Sequence, residues 1–374
     1  MIKAPDNAGN IAEAPIDERY SRLARFHRIG NAGVRAFNQA NVVILGCGAL
    51  GSQHAETLAR AGFGKLTLID RDFVEHSNLQ RQTLFTEKDA EQAIPKVIAL
   101  KNHLSEINAG IEVTAHIADV SSDNIERLIA GHDLLLDGTD NLALRMLIND
   151  ACYKQGIPWI FGSALESYGM SYNFNFVAKE SNAQERYVQE REANSRKANM
   201  PCLRCLLDAL PLETQDTCSS VGVIQPILQL ISSVQTSEAM KFFTDFSATR
   251  ETLFTMDLWQ FHSQNVKLDT LKDPACQTCG MAPTYPSLHQ KKREAQRLCG
   301  DGSVMIREVA PLDLYNIKDG LDQQNIPYKF NDYFLNIQLP ENRIILFSDG
   351  RGIVYDVTDV EEAVRIYERV LLIK

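Results

Sequence analysis

A glycine-rich loop near the start of the chain is the first motif whose spacing suggests chemistry. Gly46, Gly48 and Gly51 form the pattern G-x-G-x-x-G after an apolar stretch of strand length and at the start of a helical stretch. Glycines at this spacing let the backbone approach a phosphate, and the helix N-terminus offers unpaired N–H groups. Asp70 ends the next predicted strand, nineteen residues after Gly51, where an acidic side chain accepts hydrogen bonds from a ribose. The pattern favours a nucleotide site over a structural turn, but the loop alone does not separate NAD from ATP.

Three charged residues further along the chain indicate which reaction the nucleotide site supports. Arg81 and Lys96 supply two cations for a polyphosphate, and Asp140, at the end of a later predicted strand, supplies a carboxylate for Mg²⁺. Each of them alone is more often a solvated surface charge. Because they gather at the carboxyl ends of predicted strands, together they suit phosphoryl or nucleotidyl transfer better than hydride transfer.

Four of the eight cysteines fall in two C-x-x-C pairs: Cys202 with Cys205, and Cys276 with Cys279. Seventy residues separate the pairs, and both lie in sequence contexts typical of turns. Four thiolates in two such pairs predict a closed, structural, tetrahedral zinc site, whereas a redox C-x-x-C would need only one pair. Zinc there would tie the end of the segment 179–199 to the end of the nucleotide-binding region.

The elements that must position these residues alternate between strands and helices. Between residues 41 and 162 the pattern predicts five strands separated by helices, which implies a parallel sheet covered on both faces. The segment 170–177 alternates and predicts an antiparallel extension, with two more strands near 252–268. The predicted helices cover residues 19–37, 49–62, 95–108, 121–130, 141–155 and 221–243. We therefore predict an α/β fold with a doubly wound, mostly parallel, Rossmann-like sheet and an antiparallel extension.

Composition changes along the chain predict how it is divided. Residues 1–17 are polar and are expected to be a flexible N-terminal segment before a catalytic domain over 18–280. Within that domain, the segment 179–199 carries many charges and almost no apolar side chains, which predicts a long mobile loop or an exposed helix. After a linker, residues 286–374 alternate short strands and helices and predict a small C-terminal α+β domain.

Charge and hydrophobicity exclude several classes of partner. The 374 residues include 38 basic and 48 acidic side chains, and the net charge of −10 argues against the broad basic surface that duplex nucleic acid requires. No apolar run is long enough for a membrane helix, and the N-terminus lacks the pattern of a signal peptide. We expect a cytoplasmic protein with neither duplex nucleic acid nor a membrane as partner. The eight histidines show no metal-ligand spacing.

Six short motifs, taken together, match one known family. They are R-Y-S-R at 19–22, G-C-G-A-L-G at 46–51, S-N-L-Q-R-Q at 77–82, P-K at 95–96, D-G-T-D-N at 137–141 and the two C-x-x-C pairs. Over about residues 17–280 the chain resembles the ThiF/MoeB/HesA family, which contains bacterial sulfur-carrier adenylyltransferases related to ubiquitin-activating enzymes. The resemblance implies that Mg·ATP is used to adenylate the C-terminal Gly-Gly carboxylate of a small ubiquitin-like carrier, ThiS or MoaD, with release of pyrophosphate.

The resemblance also implies roles for individual residues. Asp70 would bind the ribose, while Asn78, Arg81 and Lys96 would hold the triphosphate. Asp140 would bind Mg²⁺. Fixed cations and Mg²⁺ suit this reaction, because negative charge gathers as a carboxylate attacks the α-phosphate and pyrophosphate leaves.

Two residues outside the glycine loop acquire possible roles from the same resemblance. Arg22 would be an arginine finger that reaches the phosphates of the partner across a homodimer interface, although Leu23 stands where the family usually has Gln. Cys218, before the long predicted helix, stands where relatives that relay sulfur carry a reactive cysteine, and a helix N-terminus lowers the pKa of a thiol. The alternative is a small buried residue, since some relatives only adenylate. The remaining cysteines are interpreted as core or incidental residues: Cys47, Cys152 and Cys299.

Other functions are compatible with the same motifs. The activated substrate could be a ribosomal peptide or a tRNA, as in other branches of the superfamily. A nucleotide-bound scaffold without turnover is disfavoured by the intact set of predicted catalytic charges. The C-terminal domain lacks the C-x5-R loop of a rhodanese, and only a binding or dimer-supporting role is expected of it. The sequence does not distinguish thiamine from molybdopterin biosynthesis.

Overall fold

The computed structural model of the protein describes residues 16–175, 200–209, 222–290, 295–297, 302–307, 311–331 and 333–373. Within these ranges, no helix combines the length and the apolar character needed to cross a membrane. Four of the predicted features lie outside the described residues: the N-terminal segment apart from its last two residues, the segment 179–199, Cys218 and Cys299.

An eight-stranded mixed sheet forms the first of two sheets. Its strands are β1 (Asn41–Leu45), β2 (Lys65–Asp70), β3 (Glu112–Ile117), β4 (Leu134–Asp137), β5 (Trp159–Leu165), β6 (Tyr168–Phe174), β7 (Thr252–Asp257) and β8 (His262–Lys267). Their order in space is β3-β2-β1-β4-β5-β6-β7-β8. The pairs from β3 to β5 are parallel, and those from β5 to β8 are antiparallel. The predicted parallel sheet with an antiparallel extension is confirmed.

Helices cover both faces of this sheet. They are α1 (Ser21–Ala24), α2 (Gly30–Gln39), α3 (Ala49–Ala61), α4 (Glu87–Glu91), α5 (Lys96–Ile107), α6 (Ile125–Ile129), α7 (Leu142–Gln155), α8 (Leu203–Ala209) and α9 (Gln225–Thr244). Side chains of a strand alternate between faces. Val42 and Ile44 of β1 therefore pack with α3, α5 and α9, while Val43 and Leu45 pack with α6, α7 and α8.

The order of the strands fixes where a ligand binds. The chain runs from β1 outward to β2 and β3 and then returns to β4 on the other side of β1. In open α/β sheets, ligands bind outside the carboxyl ends of the strands at such a reversal. The carboxyl ends of β1, β2 and β4 lie at this edge, where Gly46 follows β1, Asp70 ends β2 and Asp140 lies in the loop after β4.

A second, antiparallel sheet follows. Its strands are β9 (Ala295–Arg297), β10 (Val304–Arg307), β11 (Tyr328–Phe330), β12 (Phe334–Gln338), β13 (Arg343–Phe347) and β14 (Arg351–Tyr355), in the order β11-β12-β13-β14-β10-β9. Helices α10 (Leu314–Gln323) and α11 (Val360–Leu371) pack on one face. The opposite face packs on Phe73, whose ring centroid lies 5.4 Å from that of Phe334. This α+β arrangement agrees with the prediction.

The helix predicted over residues 19–37 is wrong, because the segment is broken. Helix α1 ends at Ala24, and α2 begins at Gly30, whose φ of +60° is incompatible with a continuous right-handed helix. Tyr20 is buried against Gly62, where a Cβ would lie 2.6 Å from the tyrosine ring. This contact fixes the start of the segment, so the chain must turn before α2 can pack on the sheet.

Several short helices and strands also differ from the prediction. The helix predicted over 121–130 is only the five residues of α6, because Asn124 Oδ1 accepts a hydrogen bond from the N–H of Ser121 at 2.9 Å and makes a turn before it. Helix α4 and strands β9 and β11 were not predicted. Each has three to five residues, too few to show a periodicity.

Candidate nucleotide and metal sites

The glycine loop packs backbone against backbone on the loop after β4. A Cβ on Gly51 would lie 1.8 Å from the carbonyl oxygen of Gly46, and one on Gly46 would lie 2.7 Å from the carbonyl carbon of Gly138. Gly46 also has a φ of +85°. A Cβ on Gly48, in contrast, would meet only Gln82 Nε2, at 3.5 Å. Gly46 and Gly51 are thus needed for the fold, whereas the space beside Gly48 is open for a ligand.

Asp70 lies at the end of β2, beside the glycine loop. Its Oδ2 accepts a hydrogen bond from the N–H of Cys47 at 2.6 Å, and its Oδ1 accepts one from the N–H of Asp72 at 2.8 Å. Burial, followed by the charge of Asp72, raises the pKa of Asp70. Both oxygens keep a lone pair for a further donor such as a ribose hydroxyl.

Lys96 begins α5 and is 7% exposed. Its Nζ lies 3.2 Å from Asp72 Oδ2, and its N–H donates to the carbonyl of Asp72 at 2.9 Å. Burial lowers the pKa of Lys96, but Asp72, Asp70 and Asp140 raise it above its ordinary value. The ammonium group is therefore charged, and it lies within electrostatic range of both carboxylates that the sequence singled out.

Asn78 and Arg81 lie in a turn after β2. Asn78 is buried, and its Oδ1 accepts a hydrogen bond from the N–H of Glu75 at 3.2 Å. Arg81 is half-buried and donates from Nη1 to the carbonyl of Ser77 at 2.9 Å. Within the described ranges, no carboxylate lies at ion-pair distance from Arg81, so its charge is available to an anionic ligand.

The loop after β4 is held by an ion pair that the sequence did not reveal. Asp137 is fully buried, and Arg145 of α7 donates from Nε to its Oδ2 at 3.0 Å. Arg145 Nη2 also donates to the carbonyls of Thr139 and Gly162. Asp140, next in this loop, is exposed. In the sequence, the feature that could have indicated this ion pair is Arg145, an arginine within the largely apolar stretch that forms the start of α7.

Arg22 follows a residue that is anchored at the opposite end of α3 from the glycine loop. It is exposed, two residues after Tyr20, which packs on Gly62. Gly62 ends α3, a helix of 13 residues that begins after Gly48. At 1.5 Å per residue, the two ends of α3 are about 20 Å apart. Tyr20, two residues before Arg22, is therefore anchored at the end of α3 that is remote from the glycine loop.

The structure brings the four paired cysteines together. The Sγ–Sγ distances are 3.9 Å for Cys202–Cys205, 3.5 Å for Cys202–Cys276 and 3.4 Å for Cys205–Cys279, and all four sulfurs lie within 4.8 Å of one another. Four sulfurs at about 2.3 Å from a tetrahedral zinc ion would be about 3.8 Å apart. The cluster therefore fits zinc. The turn context predicted for the first pair is wrong, because Cys205 lies within α8.

A buried carboxylate from α7 joins the two C-x-x-C segments. Asp150 is fully buried, and Arg204, between the first two cysteines, donates to its Oδ2 at 3.1 Å. Thr278, between the other two, donates its hydroxyl to Oδ1, and the N–H of Ser287 donates to Oδ2 at 2.8 Å. Arg204 Nε also donates to Thr278 Oγ1 at 3.0 Å. No sequence pattern linked Asp150 to the cysteines.

Two of the other cysteines are core residues, as predicted. Cys47 and Cys152 are fully buried, and burial raises the pKa of both thiols well above the ordinary value. Cys218 and Cys299 lie outside the described residues, so their predicted roles are unchanged.

Comparison with known proteins identifies the family. The family model described as "ThiF family" matches residues 20–278, more than two thirds of the chain. The chain belongs to the ThiF family. A relative in this family, the sulfur carrier protein ThiS adenylyltransferase of Bacillus subtilis strain 168, is 35% identical over 354 residues, which cover 94% of this chain and 98% of the relative. The molybdopterin-synthase adenylyltransferase of Salmonella typhimurium is 34% identical over 263 residues, or 70% of this chain and 96% of the relative.

Solved structures agree with the fold of this ThiF family member. E. coli MccB with ATP superimposes with a TM-score of 0.56 at 19% identity, covering 70% of this chain and 75% of MccB. E. coli MccB with MccA-N7isoASN gives a TM-score of 0.57 at 20% identity, covering 71% and 76%. At this identity the likeness concerns the fold alone.

Proposed function

We propose that this ThiF family protein is an adenylyltransferase that uses Mg·ATP to activate the C-terminal carboxylate of a ubiquitin-like sulfur-carrier protein. The observation that carries the proposal is the group of loops at the carboxyl ends of β1, β2 and β4. There a Cβ on Gly48 would meet only Gln82, Lys96 is buried with its Nζ 3.2 Å from Asp72, and the charges of Asp70 and Asp140 raise the pKa of this ammonium group. Such a group can bind a ribose, a polyphosphate and a divalent cation together.

The reaction needs no general base, because a C-terminal carboxylate is ionised at neutral pH. One of its oxygens forms a bond to the α-phosphorus of ATP, and the bond from that phosphorus to the bridging oxygen breaks, so pyrophosphate leaves. Negative charge grows on the leaving group. Lys96, oriented by Asp72, and Arg81 supply fixed cations that stabilise this charge. Mg²⁺, held by Asp140, neutralises phosphate charge when it is bound.

The extent of the alignments supports a carrier of the ThiS type. The ThiS adenylyltransferase relative covers 94% of this chain, so its alignment must extend through most of the second sheet. The molybdopterin-synthase relative covers only 70%. The carrier in this proposal is accordingly of the ThiS type, and the pathway is thiamine biosynthesis.

Carrier-dependent exchange of radiolabelled pyrophosphate into ATP tests the activity. The exchange should require a ThiS-type carrier ending in Gly-Gly and should be much weaker with a MoaD-type carrier. Equal exchange with both would contradict the choice of carrier, and no exchange with any Gly-Gly carrier would contradict the activity itself.

The variants Asp140→Ala and Arg81→Ala test the assignment of the site. Both should reduce exchange by at least a hundredfold, because each removes charge that acts on the developing transition state. Arg60→Ala, which removes an exposed arginine paired with Glu56, is the matched control and should keep full activity. Near-normal exchange by either site variant would mean that the residue is misassigned.

The anchoring of Tyr20 at the end of α3 remote from the glycine loop supports a homodimer with composite sites, in which Arg22 of each chain enters the partner's nucleotide site. Mixing inactive Arg22→Ala chains with inactive Asp140→Ala chains should then restore activity. Half of the randomly mixed dimers would hold one intact site of two, which gives about a quarter of the wild-type rate. If subunit exchange is verified and no activity returns, Arg22 does not act across subunits.

Zinc at the four-cysteine cluster completes the proposal. With four thiolates as ligands, a zinc ion has no open position and serves the fold, not the reaction. It fastens α8 to the segment after β8.

A further inference from the structure

Two strands of the second sheet reach the carboxyl ends of β2 and β3. Arg71 follows β2, Asp119 follows β3, and Arg71 Nη1 lies 3.0 Å from Asp119 Oδ1. Arg307, at the end of β10, forms an ion pair with the other oxygen of Asp119. The second sheet is thus attached to the edge of the first sheet that carries the candidate nucleotide site.

Arg351, at the start of β14, is a buried cation without enough acceptors. It is 5% exposed, and its Nε donates to Asp349 Oδ2 at 2.7 Å. Its Nη1 and Nη2 are both buried, and neither has a hydrogen-bond partner among the residues that the structure describes. A buried guanidinium with two free donor groups is costly, so a further acceptor, such as a bound ligand, would stabilise it.

The ladder between β10 and β14 fixes where this guanidinium points. Arg307 and Arg351 are directly opposite each other in register, so both side chains leave the same face of the sheet. Arg307 reaches Asp119, and Arg351 therefore faces the same region. Burial raises the pKa of Asp119, but the three neighbouring arginines, Arg351 among them, lower it below its ordinary value.

The topology predicts which part of a nucleotide lies there. In this kind of sheet, phosphates bind at the glycine loop after β1 and the ribose binds at the acidic end of β2. The base then extends away from β1, past Asp70 and toward the end of β3. The end of β3 is followed by Asp119, which Arg307 contacts.

We propose that Arg351 binds the adenosine portion of ATP by donating hydrogen bonds from Nη1 and Nη2, so that the second sheet completes the nucleotide site. This inference rests on the proposed function in requiring ATP as the nucleotide. It gives the second sheet a role in binding that the shorter relatives must fill in another way, since they align with only 70% of this chain.

Calorimetric titration of the full chain without any carrier tests the proposal. ATP, AMP and pyrophosphate, each with Mg²⁺, are titrated into the wild type, Arg351→Met, Arg351→Lys and Arg343→Met. Arg343 is the matched control, because it lies on the same sheet and its guanidinium carbon lies 3.8 Å from the centroid of the Tyr355 ring. Arg351→Met should weaken ATP and AMP by about tenfold or more, as expected for lost hydrogen bonds from a charged donor, and should leave pyrophosphate unchanged.

The results distinguish failure of this inference from failure of the proposed function. Wild-type affinity for ATP in Arg351→Met, or an equal loss for pyrophosphate, overturns the inference while the proposed function stands. Failure of the wild type to bind ATP at all would instead contradict the proposed function. If Arg351→Met does not fold, hydrogen exchange of the wild type decides: saturating ATP should slow exchange of the β14 amides, and protection of the glycine loop alone would overturn the inference.

Discussion

Asp150 offers the sharpest test of how the metal cluster is built. Purified protein should contain about one zinc per chain, and Asp150→Ala should weaken both its zinc binding and its fold. The substitution leaves the guanidinium of Arg204, whose side chain is 16% exposed, without its carboxylate. It also removes the acceptor of Thr278 and of the Ser287 N–H, which are both buried.

The contacts of Asp150 set how much stability and zinc affinity the Asp150→Ala variant should lose. Breaking a buried ion pair by removing one partner costs about 3–5 kcal/mol, because the remaining charge stays buried without compensation. Loss of a group that orients metal-ligand segments weakens metal binding by about 10- to 100-fold. We therefore expect Asp150→Ala to lose about 3–5 kcal/mol of unfolding free energy and to release zinc to a chelator at a concentration that leaves the wild type loaded.

The assay combines urea unfolding at a fixed zinc concentration with competition by a chromophoric chelator. Asp208→Ala is the control, since Asp208 is an exposed carboxylate on the same helix, α8, and should change neither quantity. Wild-type zinc affinity and stability in Asp150→Ala would refute the role assigned to this carboxylate. Protein with four intact cysteines but no zinc would refute the metal site.

Two further predictions concern the glycine loop and a buried histidine. Gly51→Ala should unfold far more easily than the wild type in urea, because its Cβ would lie 1.8 Å from Gly46 O, whereas Gly48→Ala should keep its stability and lose ATP affinity in calorimetry. His54 is fully buried, and burial lowers its pKa from 6.5 to about 4. Because the unfolded chain binds this proton and the folded chain does not, the unfolding free energy should fall by about 3 kcal/mol as the pH drops from 6.5 to 4. His54→Gln should lack this part of the pH dependence, and an identical slope in both proteins would contradict it.

Much of the fold could be predicted because the signals are local. The apolar runs of β1 and β4 require a strand buried on both faces, and the glycine loop requires a tight turn into a helix. The four cysteines were assigned together because their spacing satisfies one tetrahedral ion. The strand and loop patterns depend only on neighbours in sequence, whereas the cysteine pairs are seventy residues apart and were joined by the ligand chemistry of zinc.

Contacts between segments that are distant in sequence could not be predicted from such patterns. Tyr20 packs on Gly62, 42 residues further along the chain, and no pattern near Tyr20 in the sequence predicts that contact. Strands β9 and β11 are too short for a periodicity, and they exist because neighbouring strands pair with them.

The sequence by itself determined the residue types that can hold a nucleotide and a zinc ion, since those chemistries require particular side chains at particular spacings. Only the tertiary structure decided which side chains support them. Arg145 holds Asp137, Asp150 joins the two cysteine pairs, and Arg351 of the second sheet faces the first sheet, where neither of its Nη atoms has a hydrogen-bond partner among the described residues. The physical reason is that a buried charge must be compensated, and the compensating group comes from whichever segment the fold brings near.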